Sequence, residues 1–263
     1  MTVDWHGFNY LYSISGFVVG ALVGLTGVGG GSLMTPLLLL LFGVPPSIAV
    51  GTDLLYASIT KASGTAIHSI NGTVDWRIVR RLATGSLPAT IMMLIALNYF
   101  GARSAGTAGM ITTVLGFALM LTAASLLFRK RLQGYLANFV DGLPEKKIGL
   151  LTIGLGAFVG FLVSLSSVGA GAIGATILIL LYPKLPSARI VGSDIAHAVP
   201  LTLIAGLGHW FLGSIEWVLL LSLLLGSLPG IVIGSQLAAY VPDRLLRTFL
   251  ASTLAVVGAR LAI

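Results

Sequence analysis

The chain has 263 residues, of which 56% are hydrophobic and only 9% charged, and its mean hydropathy is +1.01. No segment is both polar and long enough to fold in water, so soluble classes are excluded. The net charge of +7 sits mostly at the ends of apolar segments, where it reads as membrane orientation and not as nucleic-acid binding. The absence of cysteine removes disulfides, thiolate metal sites and cysteine nucleophiles together.

Residues 1–10 hold Asp4 and His6 but no Lys or Arg, so no cleavable signal peptide is expected. Apolar segments follow at about 7–26, 31–43, 47–70, 78–100 and 105–128. A polar connector is expected over 129–147, with Arg129-Lys130-Arg131 and Lys146-Lys147. The layout then recurs at about 148–166, 172–183, 187–211, 215–240 and 244–262. Pro and Gly mark the breaks at Gly43-Val-Pro45-Pro46, Asn71-Gly72 and Pro183-Lys-Leu-Pro186. The organisation predicted is an N-terminal membrane repeat over 1–128, a cytoplasmic connector over 129–147 and a C-terminal membrane repeat over 148–263.

A constant offset of 141 residues relates the halves. It pairs Gly51-Thr-Asp53 with Gly192-Ser-Asp194, His68 with His209, Gly72 with Gly213, Asp75 with Glu216 and Trp76 with Trp217. It also pairs Gly85, Ser86 and Pro88 with Gly226, Ser227 and Pro229. If the first segment pair of each half were one long helix, the halves would be parallel, and Lys and Arg, Lys61 set aside, would split nine to five between the two sides. If each pair is a hairpin, the halves are inverted and the split is twelve to two. One side then takes Arg77, Arg80, Arg81, Arg129, Lys130, Arg131, Lys146, Lys147, Lys184, Arg189, Arg244 and Arg247, and the other Arg103 and Arg260. The positive-inside rule favours the hairpins. The fold class expected is an all-α polytopic membrane protein of two inverted repeats, each a Gly-broken hairpin plus three transmembrane helices. Both termini are expected outside.

The hairpin tips read Gly24-Leu-Thr-Gly-Val-Gly-Gly-Gly-Ser32 and Ser166-Ser-Val-Gly-Ala-Gly-Ala172. A break of this kind frees backbone N–H groups and aims a positive helix end at an anion. Gly27, Gly29, Gly30, Gly31, Ser32, Ser167, Gly169 and Gly171 are therefore candidate substrate contacts. For any single glycine, close helix packing is the commoner role, and Gly16, Gly20 and Gly24 have that spacing. The tips lack Gly-Lys-Ser/Thr, so they are not a nucleotide loop, and no cofactor is called for.

Asp53 and Asp194 are the acids lying well inside apolar segments. Each either faces a cavity or partner, as a proton carrier or gate, or caps the helix after Pro46 or Pro186. Lys61, eight residues beyond Asp53, lies within about 40° of the same helix face. It either pairs with an acid or meets an anionic substrate. His68 and His209 sit at matched helix ends, where capping is the ordinary role. Asp194-x-x-His197 can relay a proton or ligate a metal. Trp76 and Trp217 read as interfacial anchors.

Together these residues resemble the sulfite exporter family TauE/SafE. The break at 24–32 followed by Pro36 and Gly51-Thr-Asp53 looks like its N-terminal half. Gly192-Ser-Asp194, Gly206-x-x-His209 and Gly226-Ser-x-Pro229-Gly look like its C-terminal half. The resemblance implies a bacterial-type inner-membrane transporter of sulfite, organosulfonates or related sulfur anions. The second tip departs from it, with Ser and Ala in place of several glycines. The function expected is secondary anion transport, in the direction of export, by alternating access. Its partners are a small anion, the lipid bilayer and a possible coupling proton, with no nucleic acid. A cation or metal permease using Asp194, His197, His68 and His209, and an intramembrane aspartyl enzyme, are the alternatives.

Overall fold

The computed structural model describes residues 10–26, 31–102, 104–140, 142–237 and 243–262. Among these the chain forms ten helices and no strand: α1 (Tyr10–Thr26), α2 (Gly31–Phe42), α3 (Pro46–Ile70), α4 (Trp76–Phe100), α5 (Ala105–Val140), α6 (Glu145–Ser166), α7 (Ala172–Leu181), α8 (Ser187–Phe211), α9 (Trp217–Leu237) and α10 (Asp243–Ala262). Adding 141 to the bounds of α3 returns those of α8 without remainder. Within 129–147, expected to be a polar connector, α5 continues through Val140 and α6 begins at Glu145.

Helix α4, α5 over 105–128, α6, α8 and α9 are long and apolar enough to cross a bilayer. The second limbs are not. Helix α2 has 12 residues and α7 has 10, about 18 and 15 Å against a hydrocarbon core of roughly 30 Å. Large apolar side chains stay exposed along the outside, among them Ile91, Met92 and Ile95 on α4 and Leu225 and Val232 on α9. Such a surface suits lipid tails and not water.

The helices pair across the halves. Helix α1 runs along α9, α4 along α6, α3 against α8 and α5 against α10. Glycine makes the closest crossings. Gly16 and Gly20 of α1 rest on the carbonyls of Leu223 and Ser227 in α9, and Gly156 and Gly160 of α6 rest on those of Leu82 and Ser86 in α4. In return Gly226 rests on the Ser13 carbonyl and Gly85 on that of Ile153. A Cβ at any of these positions would meet backbone, which cannot rotate away as a side chain can. Small residues here let whole helices approach, the usual basis of association where lipid removes the hydrophobic drive.

Helices α3 and α8 cross antiparallel at the centre. The start of α3, at Gly51, meets His209 and Ser214 at the end of α8, and Gly64 meets Ile195 near the start of α8. The reciprocal contact is Gly192 against Thr73 and His68. Two matched turns close these helices, with Gly72 and Gly213 at φ 65° and 70°. Thr73 N–H donates to the His68 carbonyl and Ser214 N–H to that of His209, at 2.9 and 2.8 Å.

Each turn is then fastened to the other half. Ser193 Oγ accepts from the Asp75 N–H at 2.8 Å, and Thr52 Oγ1 from the Glu216 N–H at 3.1 Å. Asp75 also caps α4, accepting from the Arg77 N–H at 3.0 Å and the Ile78 N–H at 3.4 Å. Asp75→Ala is expected to cost about 0.5–2 kcal/mol, seen as a lower midpoint of thermal unfolding in detergent, whereas an unchanged midpoint would mean the cap contributes nothing.

Candidate functional site

The repeated Gly-Thr/Ser-Asp motif does three jobs in three residues. The glycine permits the α3–α8 crossing, the hydroxyl holds the partner half's turn, and the acid reaches a helical break. Asp53 is fully buried and accepts a hydrogen bond from Thr35 Oγ1 on α2. Ser167, at the tip between α6 and α7, lies beside the same carboxylate. Among the described residues Asp53 Oδ1 and Ser167 Oγ have no hydrogen-bond partner. Asp53 therefore touches the short helix α2 of its own half and the tip between α6 and α7 of the other.

Asp194 is buried at the second tip, with the Gly171 N–H directed at its carboxylate. Gly174, one turn into α7, leaves the space its Oδ1 fills. The chain turns there because Ser167, Gly169 and Gly171 adopt φ of 57°, 120° and 127°, a region costly for all but glycine and a few small polar residues. Gly171 is also the residue from which α7 starts, so Asp194 lies at a positive helix end.

Lys61 Nζ donates to the Ala170 carbonyl of this tip at 3.2 Å. It is near enough to Asp194 and Asp53 to feel both charges, yet among the described residues no salt bridge joins it to either. Ser167, Ala170 and Gly171, within five residues, thus meet Asp53, Lys61 and Asp194 respectively.

A cavity of about 440 Å³ opens onto this group. Lys61, Asp194 and Gly171 line it, together with Thr60, Ser63 and His68 of α3, and Gly24, Ile231 and Ser235 of α1 and α9 bound the other side. The lining comes from the last part of α3, the first part of α8 and the last turns of α1 and α9, so the cavity reaches the centre from the end where the α3–α4 turn lies.

The histidines go to separate partners. His197 Nε2 and Ser86 Oγ are 2.8 Å apart, with His197 Nδ1 unpartnered. His209 Nε2 donates to the Ser164 carbonyl at 2.9 Å. Thr73 gives its hydroxyl proton to the His68 carbonyl, so His68 Nδ1 donates to Thr73 Oγ1 at 2.8 Å, and this leaves Nε2 free to accept. His68, His197, His209 and Asp194 do not converge, and among the described residues no group of three His, Cys, Asp or Glu is placed to hold a metal. Among the described residues no hydrogen bond joins the two acids: Asp53 meets Thr35 of α2, and Asp194 meets Gly171.

Of the residues expected at the site, Asp53, Asp194, Lys61, His68, Ser167 and Gly171 surround the tip and cavity. Gly169 shapes the turn, and Ser32 is buried on α2. Gly31 begins α2, while Gly27, Gly29 and Gly30 lie outside the described residues. Thr35, Tyr56 and Gly174 were not singled out in the sequence, and Ser86 and Ser227 only as a repeated pair with no partner assigned. Tyr56 stands 141 residues before His197, and each faces a serine of the other half, Ser227 and Ser86. Asp-x-x-Tyr beside Asp-x-x-His was the signal that could have found Tyr56.

Helices long and apolar enough to cross a bilayer, two half-length helices, and an uncharged break met by Asp53, Lys61 and Asp194 beside a cavity are the build of a polytopic membrane transporter. The sequence model described as "Sulfite exporter TauE/SafE" matches residues 12–261, and the chain belongs to that family. It is 42% identical over 249 residues to the probable membrane transporter protein YjnA of Bacillus subtilis, covering 94% of this chain and 97% of that one. It is 26% identical to the probable membrane transporter protein YdhB of the same organism, covering 92% and 95%. The probable membrane transporter protein MJ0441 of Methanocaldococcus jannaschii is 27% identical, covering 94% and 93%. No solved structure matches the chain.

Proposed function

We propose that this protein is a secondary transporter that exports a small anion, a sulfite, organosulfonate or related sulfur anion, by alternating access. The observation carrying the reading is Lys61: a lysine in the wall of a central cavity, held to a helical break and, among the described residues, without a direct salt bridge. A cation so placed, with a helix N-terminus beside it, is suited to an anion. The family description adds the sulfur chemistry.

The halves are taken to be inverted about an axis in the membrane plane. The antiparallel crossing of the equivalent helices α3 and α8 supports this, as does the exchange of partners between α1–α9 and α6–α4. With the basic loops in the cytoplasm and both termini outside, the cavity faces the cytoplasm, the side from which an exporter loads. Anion export is then assisted by an inside-negative potential, about 2.3 kcal/mol per charge per 100 mV.

The test is thermal stabilisation of detergent-purified protein against sulfite, sulfate, thiosulfate, sulfoacetate, taurine and divalent metals. A sulfur anion at a hundred times its Kd is expected to stabilise by about 2.7 kcal/mol. Stabilisation by a metal, with no response to any anion, would overturn the reading in favour of an Asp/His permease.

A further inference from the structure

We propose that the carboxylate of Asp194 occupies the seat of the substrate's own anionic group, so that an anion binds when Asp194 takes up a proton. The inference rests on the anion-transporter reading above and names its coupling.

The seat has three sides. Gly171, at the start of α7, directs its N–H at the carboxylate. Gly174 has no side chain, and the space it leaves is filled by Asp194 Oδ1. Lys61 lies across the cavity wall, its charge felt by Asp194 but its ammonium bonded to the Ala170 carbonyl. A backbone donor at a helix start and a nearby ammonium are the parts from which anion sites are built. Here they hold an internal carboxylate instead. A glycine at 174 is what lets it enter.

Charge makes the occupancy exclusive. Lys61 and His68 of α3 line the same cavity as Asp194, Asp53 lies elsewhere on that helix, and His197 is one turn away on α8. Helix α7 offers Gly171 and Gly174, and the cavity-lining residues of α1 and α9 carry no charge. The charged side chains Arg77 and Arg81 of α4 and Glu145 of α6 pair with one another. One lysine therefore serves two acids. A substrate anion arriving with Asp194 ionised would bring a third negative charge to one cation, whereas with Asp194 protonated it replaces one. The proton adds to a carboxylate oxygen, and the freed N–H and the ammonium turn to the substrate. Asp53 is not the exchanging acid, because its carboxylate is held by Thr35 and does not line the cavity. One proton is then taken up with each anion bound, so a monoanion enters without net charge and the membrane potential assists only the charge a dianion retains.

The experiment adds sulfite, and separately thiosulfate, to weakly buffered wild-type protein and follows pH with an indicator dye. Sulfite's own protonation is subtracted with a protein-free blank. Across the pH range in which the protein stays folded, uptake is expected to approach one proton per anion bound on the alkaline side. Affinity there should fall about tenfold per pH unit, since binding and protonation are reciprocally linked. Asp194→Asn, a mimic of the protonated acid, should bind thiosulfate, which does not titrate in this range, with pH-independent affinity and no uptake. Binding without proton uptake by the wild-type protein at any pH, or uptake unchanged in Asp194→Asn, overturns this inference and leaves anion transport standing. No binding of either anion sinks the anion-transporter reading and this inference with it. The wild-type measurement holds whether or not the variant folds.

Discussion

Lys61→Met is expected to weaken sulfur-anion binding by about ten- to a hundredfold and to stop transport in proteoliposomes. The estimate takes the loss of one charged contact as about 1.5–3 kcal/mol and converts it to affinity. Methionine keeps the length and apolar stem of the side chain, so the change removes the ammonium with little alteration of packing. It also leaves Asp53 and Asp194 without the cation whose charge both feel. The unliganded protein should therefore lose some thermal stability of its own, and the anion-dependent shift must be read against that new baseline. Undiminished stabilisation by the anion would move the binding site away from the α6–α7 tip. Lys61→Arg is not expected to restore function fully, because a planar fork does not fit a seat where a compact ammonium meets one carbonyl.

Gly226→Leu should prevent the protein from folding to a monodisperse state, a loss above about 4 kcal/mol. Its Cβ would be driven into the Ser13 carbonyl, and the flanking contacts, Gly16 on Leu223 and Gly230 on Phe17, are backbone as well. With no side chain to rotate away, relief requires separating α1 from α9 along their length. Gly109→Ala is the control. Nothing lies within 4 Å of a Cβ there, so the change should be neutral or slightly stabilising, as expected for a helical glycine in open space. Equal gel-filtration profiles and unfolding midpoints for the two variants would show that α1 and α9 do not pair as described.

Much of the helical layout was legible because lipid imposes a simple rule: apolar length, interrupted by Gly and Pro, maps onto helices. The breaks at Gly43-Val-Pro45-Pro46 and Asn71-Gly72 fall between α2 and α3 and between α3 and α4. The extension of α5 through Val140 was not legible, since polarity marks the end of a membrane segment and not the end of a helix. Asp53, Lys61 and Asp194 stood out because charge is costly in hydrocarbon, and each is met by the same five-residue tip. Their neighbours did not stand out. Thr35 and Gly174 are ordinary residues for a membrane helix, Ser227 was marked only as the repeat of Ser86, and nothing in their local sequence says which acid or tyrosine they face.

By itself the sequence determined that this is a membrane protein made of two related halves, with an acid at the start of the third helix of each. It did so because burial cost and duplication both leave marks in residue order. The tertiary structure alone decided how the halves interlock. Helix α1 pairs with α9 and not with its neighbour α2, since the pairing depends on which backbones glycine allows to touch across more than 200 residues of chain. It alone also decided that Asp194, and not Asp53, lines the cavity beside Lys61. The two acids are equivalent in sequence, and only the packing around them, Thr35 over one and Gly171 and Gly174 beneath the other, makes them different.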